Sequence, residues 1–213
     1  MTTMDLETMR TRVRVDLRDT DPESERWPDE TLDRHIERAV HDLSLAAPRE
    51  ATATLTAAGA SRDLSLAGLG DRVAIEAVEW PMGRYPASFV PFSSWGETLT
   101  LLVDGVPATD DDVLVRYSAL HTLDAEGTTL PEPLQDLVAT GAAAYAAIEW
   151  ASYATNRVNA GGDDTWRRYH TWGQERLAAF SRALAKHGRE RRLKSRRLYV
   201  AAVAGLGGRT LEG

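Results

Sequence analysis

The hydrophobic period changes twice along this chain, and that change constrains the fold more than any single residue. Apolar side chains at Met4, Leu6, Met9, Val13 and Leu17 recur near the helical period and predict an amphipathic helix over 4–18. Asp19-Thr20-Asp21-Pro22 stops it, because Pro22 disfavours helical geometry at Asp21 and the Asp/Thr cluster favours a turn. A second helix is predicted after Trp27-Pro28, where Asp29 and Glu30 suit the positive end of the helix dipole. Its buried face is Leu32, Ile36, Val40 and Leu43, and Pro48 closes it.

From about Ala51 to Leu123 the period falls to two. Ala53, Leu55, Leu64 and Leu66 sit in short alternating runs, and Val73–Trp80, Thr98–Val103 and Val113–Tyr117 read as strands between turn residues. Helical spacing then returns. Leu130-Pro131-Glu132-Pro133 opens a third helix carrying Leu134, Leu137, Val138, Gly141, Tyr145 and Ile148 at steps of three and four. Its small residues, Gly141 to Ala144, Ala146 and Ala147, would let another helix approach closely. Asn159-Ala160-Gly161-Gly162 is a break, and Asp163 or Asp164 offers an N-cap for a fourth helix. On that helix Trp166, Tyr169, Gly173, Leu177, Phe180 and Leu184 recur at heptad-like spacing, which suits bundle or inter-subunit packing. The expected fold is mainly α with a β insertion (α+β). A helical hairpin (1–50) and two longer helices (128–187) form a four-helix bundle core. The β module (51–127) is inserted between helices two and three, and an extended C-terminal arm (188–213) follows.

Composition narrows the function classes. The 213 residues include no cysteine, which excludes disulfides and thiolate metal sites. No run of about 18 apolar residues is present, so no membrane span is expected. The start, Met1-Thr2-Thr3-Met4-Asp5-Leu6-Glu7, is polar and does not read as a signal peptide. The net charge of −7 is unevenly spread. Between Gly188 and Arg197 stand Arg189, Arg191, Arg192, Lys194, Arg196 and Arg197 against the single acid Glu190. An acidic body with a basic arm implies a body that repels polyanions and an arm that seeks an acidic partner.

Catalytic and metal chemistry find little purchase. His35, His41, His121, His170 and His187 form no His-x-x-x-His pair, and each is expected at the surface or the edge of the core. There is no nucleophile elbow, no P-loop and no dinucleotide fingerprint. Asp19, Asp21 and Glu23 alternate as in a cation loop, but Ser24 stands where a calcium loop needs glycine, so a solvated acidic turn is expected. Asp110-Asp111-Asp112 reads as a hairpin loop, Trp150, Trp166 and Trp172 as core or inter-subunit anchors, and Trp80 and Trp95 as core residues, with a surface facing a carbohydrate or a partner protein as the alternative. No catalytic, cofactor-binding or metal-binding residue is predicted.

Two stretches carry a resemblance. Val13-Arg14-Val15-Asp16-Leu17-Arg18-Asp19-Thr20-Asp21-Pro22, followed by Arg26-Trp27-Pro28-Asp29-Glu30-Thr31-Leu32, is similar to the opening hairpin of head–tail connector (portal adaptor) proteins of tailed bacteriophages. Leu130-Pro131, followed by Asp136 to Ala146 with its small residues, resembles that family's third helix. The resemblance covers the helical parts and not the β module, and Pro28 stands where adaptors often carry a capping Ser or Thr. It implies a structural virion protein of the neck, made in the host bacterial cytoplasm. Its copies would form a ring on the portal protein, twelve-fold if it matches the portal, and extend the DNA channel toward the next neck or tail component. DNA would pass without sequence-specific binding. The arm would dock on the portal through the six cationic residues above with Leu198, Tyr199 and Val200. The alternative reading of the same arm is a nucleic-acid-binding accessory protein, whose affinity would collapse with salt.

Overall fold

The first helix, α1 (Leu6–Leu17), starts where Asp5 caps it: the carboxylate accepts the Thr8 N–H at 2.7 Å, and this bond holds the Asp5 carboxyl below its usual range. Arg18 closes it in the left-handed conformation, φ 58°, and the Asp19 N–H returns 2.9 Å to the Arg14 carbonyl. α2 (Asp29–Ala46) follows Pro28, which supplies no side-chain cap, so its exposed N–H groups rely on Asp29 and Glu30 in the first turn. α3 (Glu132–Thr155) and α4 (Thr165–Ala204) complete the helices of the described residues. The computed structural model describes residues 4–155 and 165–204, with Thr155 and residues 192–204 as backbone only. The break at 159–162 and the N-cap expected from Asp163 or Asp164 lie outside the described residues.

The protein is mixed α+β, and the chain divides into two compact units: Met1–Ala47 with His121–Glu190, and Pro48–Leu120 with Arg191–Gly213. In the first unit Met9, Val13, Leu32, Ile36 and Leu43 pack against a floor of alanines on α3, among them Ala142, Ala143, Ala146 and Ala147. The small residues also set the α3–α4 approach. A Cβ at Gly141 would lie 2.8 Å from the Phe180 ring, and one at Gly173 would lie 2.8 Å from Ile148 Cγ1 and 3.2 Å from the Ala144 carbonyl. Each helix thus offers a glycine where the other needs room. The ends of this unit's two segments are tied together. His121 Nε2 lies 3.0 Å from the Ala47 carbonyl, its Nδ1 lies 3.0 Å from the Thr129 carbonyl, and its N–H donates to Ser44 Oγ at 3.0 Å.

The second unit holds two antiparallel sheets. One has the order β1 (Arg49–Thr56), β7 (Asp112–Ala119), β3 (Arg72–Glu79), β4 (Phe89–Val90); the other has β2 (Asp63–Ser65), β6 (Thr98–Leu101), β5 (Phe92–Trp95). β1 and β7 pair without interruption from Arg49↔Ala119 to Thr56↔Asp112, and Val113, Val115, Tyr117 and Ala119 point into an aliphatic core with Leu64, Leu66, Val78, Leu99 and Leu101. β3 pairs with β7 less regularly, and its register slips at Val73 and again at Glu76. Arg72 binds the neighbouring loops: its guanidinium donates to the Leu66, Leu69 and Gly96 carbonyls and to Glu97.

Several expectations need correction. The segment from Gly188 is not an extended arm: α4 continues through it to Ala204, because the run contains no proline and is rich in Arg, Leu and Ala, all good helix formers. Asp19 is not a solvated turn residue but is 7% exposed. His35 and His121 are buried rather than at the surface or core edge: His35, on α2, stacks on Tyr145 of α3, and His121 lies between the end of α2 at Ala47 and Thr129. Trp95 does not pack in a core; it stands 88% exposed at the end of β5. β4 and β5 escaped the period-two pattern because they are two and four residues long and β5 carries Ser93-Ser94 at its centre.

Candidate functional site

α4 carries the residues on which the functional case turns, and its sequence explains why they lie on one helix. Phe180, 0% exposed, seats the helix against Gly141 and meets the Tyr145 ring edge-on at 6.3 Å. Tyr169 donates its hydroxyl to the Leu17 carbonyl at 3.1 Å, and Leu177 and Leu184 are half-buried against the same core. Trp166 is half-buried beneath the Arg167 guanidinium, 5.2 Å from the ring centroid. The basic run occupies the later turns. Arg189 is exposed. Arg191 is half-buried, and its Nη2 donates to Glu76 Oε1 at 2.7 Å and to Ser118 Oγ at 2.9 Å. Arg192, Lys194, Arg196, Arg197, Leu198, Tyr199 and Val200 all lie on α4, but their side chains are outside the described residues.

The α1–α2 turn is the other polar concentration. Asp19 Oδ2 accepts from Arg14 Nη1 at 2.8 Å, while its two oxygens accept the Arg26 and Trp27 N–H groups at 2.8 and 3.2 Å. Arg14 also reaches Glu25 and Asp29, and its hydrogen bond lowers the Asp29 carboxyl below the usual range. The Arg26 guanidinium lies over three rings, 4.5 Å from Trp150, 5.3 Å from Tyr169 and 5.7 Å from Trp27, which staples the turn to α3 and α4 by cation–π attraction. Sequence reasoning missed these roles. The signal was an Asp two residues past the last apolar position of α1, ahead of the Arg26-Trp27 pair.

A second cluster joins α2 to α3. His35 stacks on Tyr145 at 6.4 Å, and its Nε2 lies 3.2 Å from Glu149 Oε2 without forming a hydrogen bond. Burial pushes the imidazole below its ordinary value, with the Glu149 charge opposing. Arg34 holds Glu149 with 2.6 and 2.7 Å bonds, and Arg38 covers the Tyr145 ring at 4.0 Å. Burial, then the hydrogen bond to Asp42, raises the Tyr145 phenol to about 12.

Neither cluster assembles a nucleophile, a base and a reactive opening. Among the described residues no three His, Asp or Glu side chains form a metal-binding group, and no helix is long and apolar enough to cross a membrane. A surface depression of about 470 Å³ is lined, among the described residues, by Arg167, Arg168, Thr171, Trp172 and Glu175 of α4.

No family model and no curated protein matches the sequence. Among solved structures, the chain is similar to one in "Neck of empty GTA particle computed with C6 symmetry", at 15% identity and a TM-score of 0.31, covering 80% of this chain and 88% of that chain. It is also similar to one in "Neck of native GTA particle computed with C12 symmetry", at 15% identity and a TM-score of 0.29, covering 79% and 92%.

Proposed function

We propose that this protein is a structural connector of a phage-like particle, a head–tail adaptor and not an enzyme. Its copies would form a ring on the portal and extend the channel through which DNA passes. The observation that carries this is α4: one unbroken helix, seated at the Gly141–Phe180 contact, that holds the whole basic run in its later turns. A helix that begins in a packed core and carries concentrated positive charge in its later part, ahead of the apolar stretch of residues 198–204, suits docking onto an acidic protein surface, as the resemblance implies for the portal. The two sheets would be an insertion in a bundle of α1 to α4. The ends of the first unit's two segments, Ala47 and His121, are joined through the imidazole, as an insertion requires. The acidic remainder of the chain would repel DNA and let it slide.

The test is binding to the portal ring of the same genome. Replacing Arg189, Arg192, Arg196 and Arg197 by Gln should abolish capture while helix content and melting temperature stay unchanged. Retained capture would contradict the proposal. DNA binding by the unaltered chain that falls steeply with salt, with no portal capture, would favour the nucleic-acid reading instead.

A further inference from the structure

The second unit has a polar site that nothing above uses, and its occupant is already in place. Glu76 is the residue at which the β3 register slips: Ile75 pairs with Tyr117 and Ala77 with Arg116, so Glu76 is the extra residue of the bulge. An extra residue of this kind re-aims its side chain, and here the carboxylate turns toward β7. Ser118 Oγ lies 3.0 Å from Glu76 Oε1 and 3.3 Å from the Ala74 carbonyl. The serine is 2% exposed, so its hydroxyl belongs to a built site and not to a solvated surface. Arg191 completes it, bonding to the carboxylate and to the hydroxyl with one nitrogen. Arg191 stands inside the basic run, with Arg189 and Arg192 on either side.

We propose that Glu76 and Ser118 form a clasp that holds the basic run of α4 on the chain's own sheet, an autoinhibitory contact that a docking partner must displace. The chemistry favours reversibility. The bond is charge-assisted yet partly open to water, with Arg191 and Glu76 side chains 30% and 28% exposed, so it is strong enough to bias the helix and weak enough to be exchanged. An acidic partner surface offers Arg191 the same ligand that Glu76 does. A binding-competent state that is only fractionally populated lowers apparent affinity by that fraction. That the displacing partner is the portal rests on the adaptor reading; the clasp itself does not.

Trypsin reads the clasp in the full chain alone, because the run offers cleavage sites from Arg189 to Arg197. Glu76→Gln keeps the side chain's shape and removes its charge. It should speed cleavage within the run about tenfold, with cleavage elsewhere and helix content unchanged. Arg191→Gln, on the helix rather than in the sheet, should speed cleavage after Arg192 and Lys194 alike, and combining the two changes should add little. Arg191→Gln is decisive if Glu76→Gln perturbs the sheet. Unchanged cleavage in Arg191→Gln, or simple additivity of the pair, would overturn the clasp. Against the portal ring, Glu76→Gln should bind more tightly than the unaltered chain. Faster cleavage with equal affinity would overturn the autoinhibitory role. Loss of portal binding in every variant, with cleavage still accelerated, would leave the clasp standing and remove the adaptor reading.

Discussion

The two units build their apolar cores in different ways. In the helical unit large side chains meet the smallest ones: alanines pave α3 beneath Met9, Leu32 and Ile36, and glycines at 141 and 173 admit Phe180 and Ile148. In the β unit the core is aliphatic, while Met82, Tyr85, Phe89, Trp95, Leu102 and Val106 remain exposed. A backbone held close by glycine has no slack, so the helical unit should be intolerant of change in either direction. The sheet unit keeps large side chains it does not need for its own core, and they should be replaceable.

The largest effect should come from emptying the helical seam: Phe180→Ala is expected to destabilise by about 3–5 kcal/mol in denaturant unfolding. A cost under about 1 kcal/mol would mean that α4 is not seated there. Asp19→Ala should cost roughly 2–4 kcal/mol, because two N–H groups and part of Arg14 lose their acceptor. Filling the seam by Gly173→Ala should cost about 1–3 kcal/mol, since Ile148 and a backbone carbonyl must move. His35 adds a pH dependence. Its folded value is depressed, so the unfolded chain binds the proton more readily, and stability is complete above the free imidazole's value of about 6.5 and falls as pH drops below it. His35→Gln should flatten that acid limb; an unchanged limb would assign it to other groups. At the other extreme, Trp95→Ala should change stability by less than about 0.5 kcal/mol, and a larger loss would erase the contrast between the units.

The same contrast explains what could be read from the sequence. Helices α1 to α3 were legible because their apolar spacing, acidic first turns and flanking prolines (after α1 and α2, at the start of α3) all agree, as at Leu32, Ile36, Val40 and Leu43 of α2. The glycine seam was visible only as small residues, since which of them faces Phe180 depends on how two helices cross. β7 was legible from Val113 and Val115, whereas β4 and β5 were too short to show a period. The basic run could be counted, but its helical state went against an assumption that charge density means an unfolded arm. Glu76 was hidden for a different reason: a register slip decides where its carboxylate points, and that slip is set by pairing with β7, some forty residues away in the chain.

The most direct test of the adaptor account is to mix the full chain, and a truncation ending at His187, with the portal ring from the same genome and view both by electron microscopy. The account predicts an added layer of density on the ring with the full chain and a bare ring with the truncation. A bare ring with the full chain, under conditions where it is folded and binds DNA in a salt-sensitive way, would contradict it.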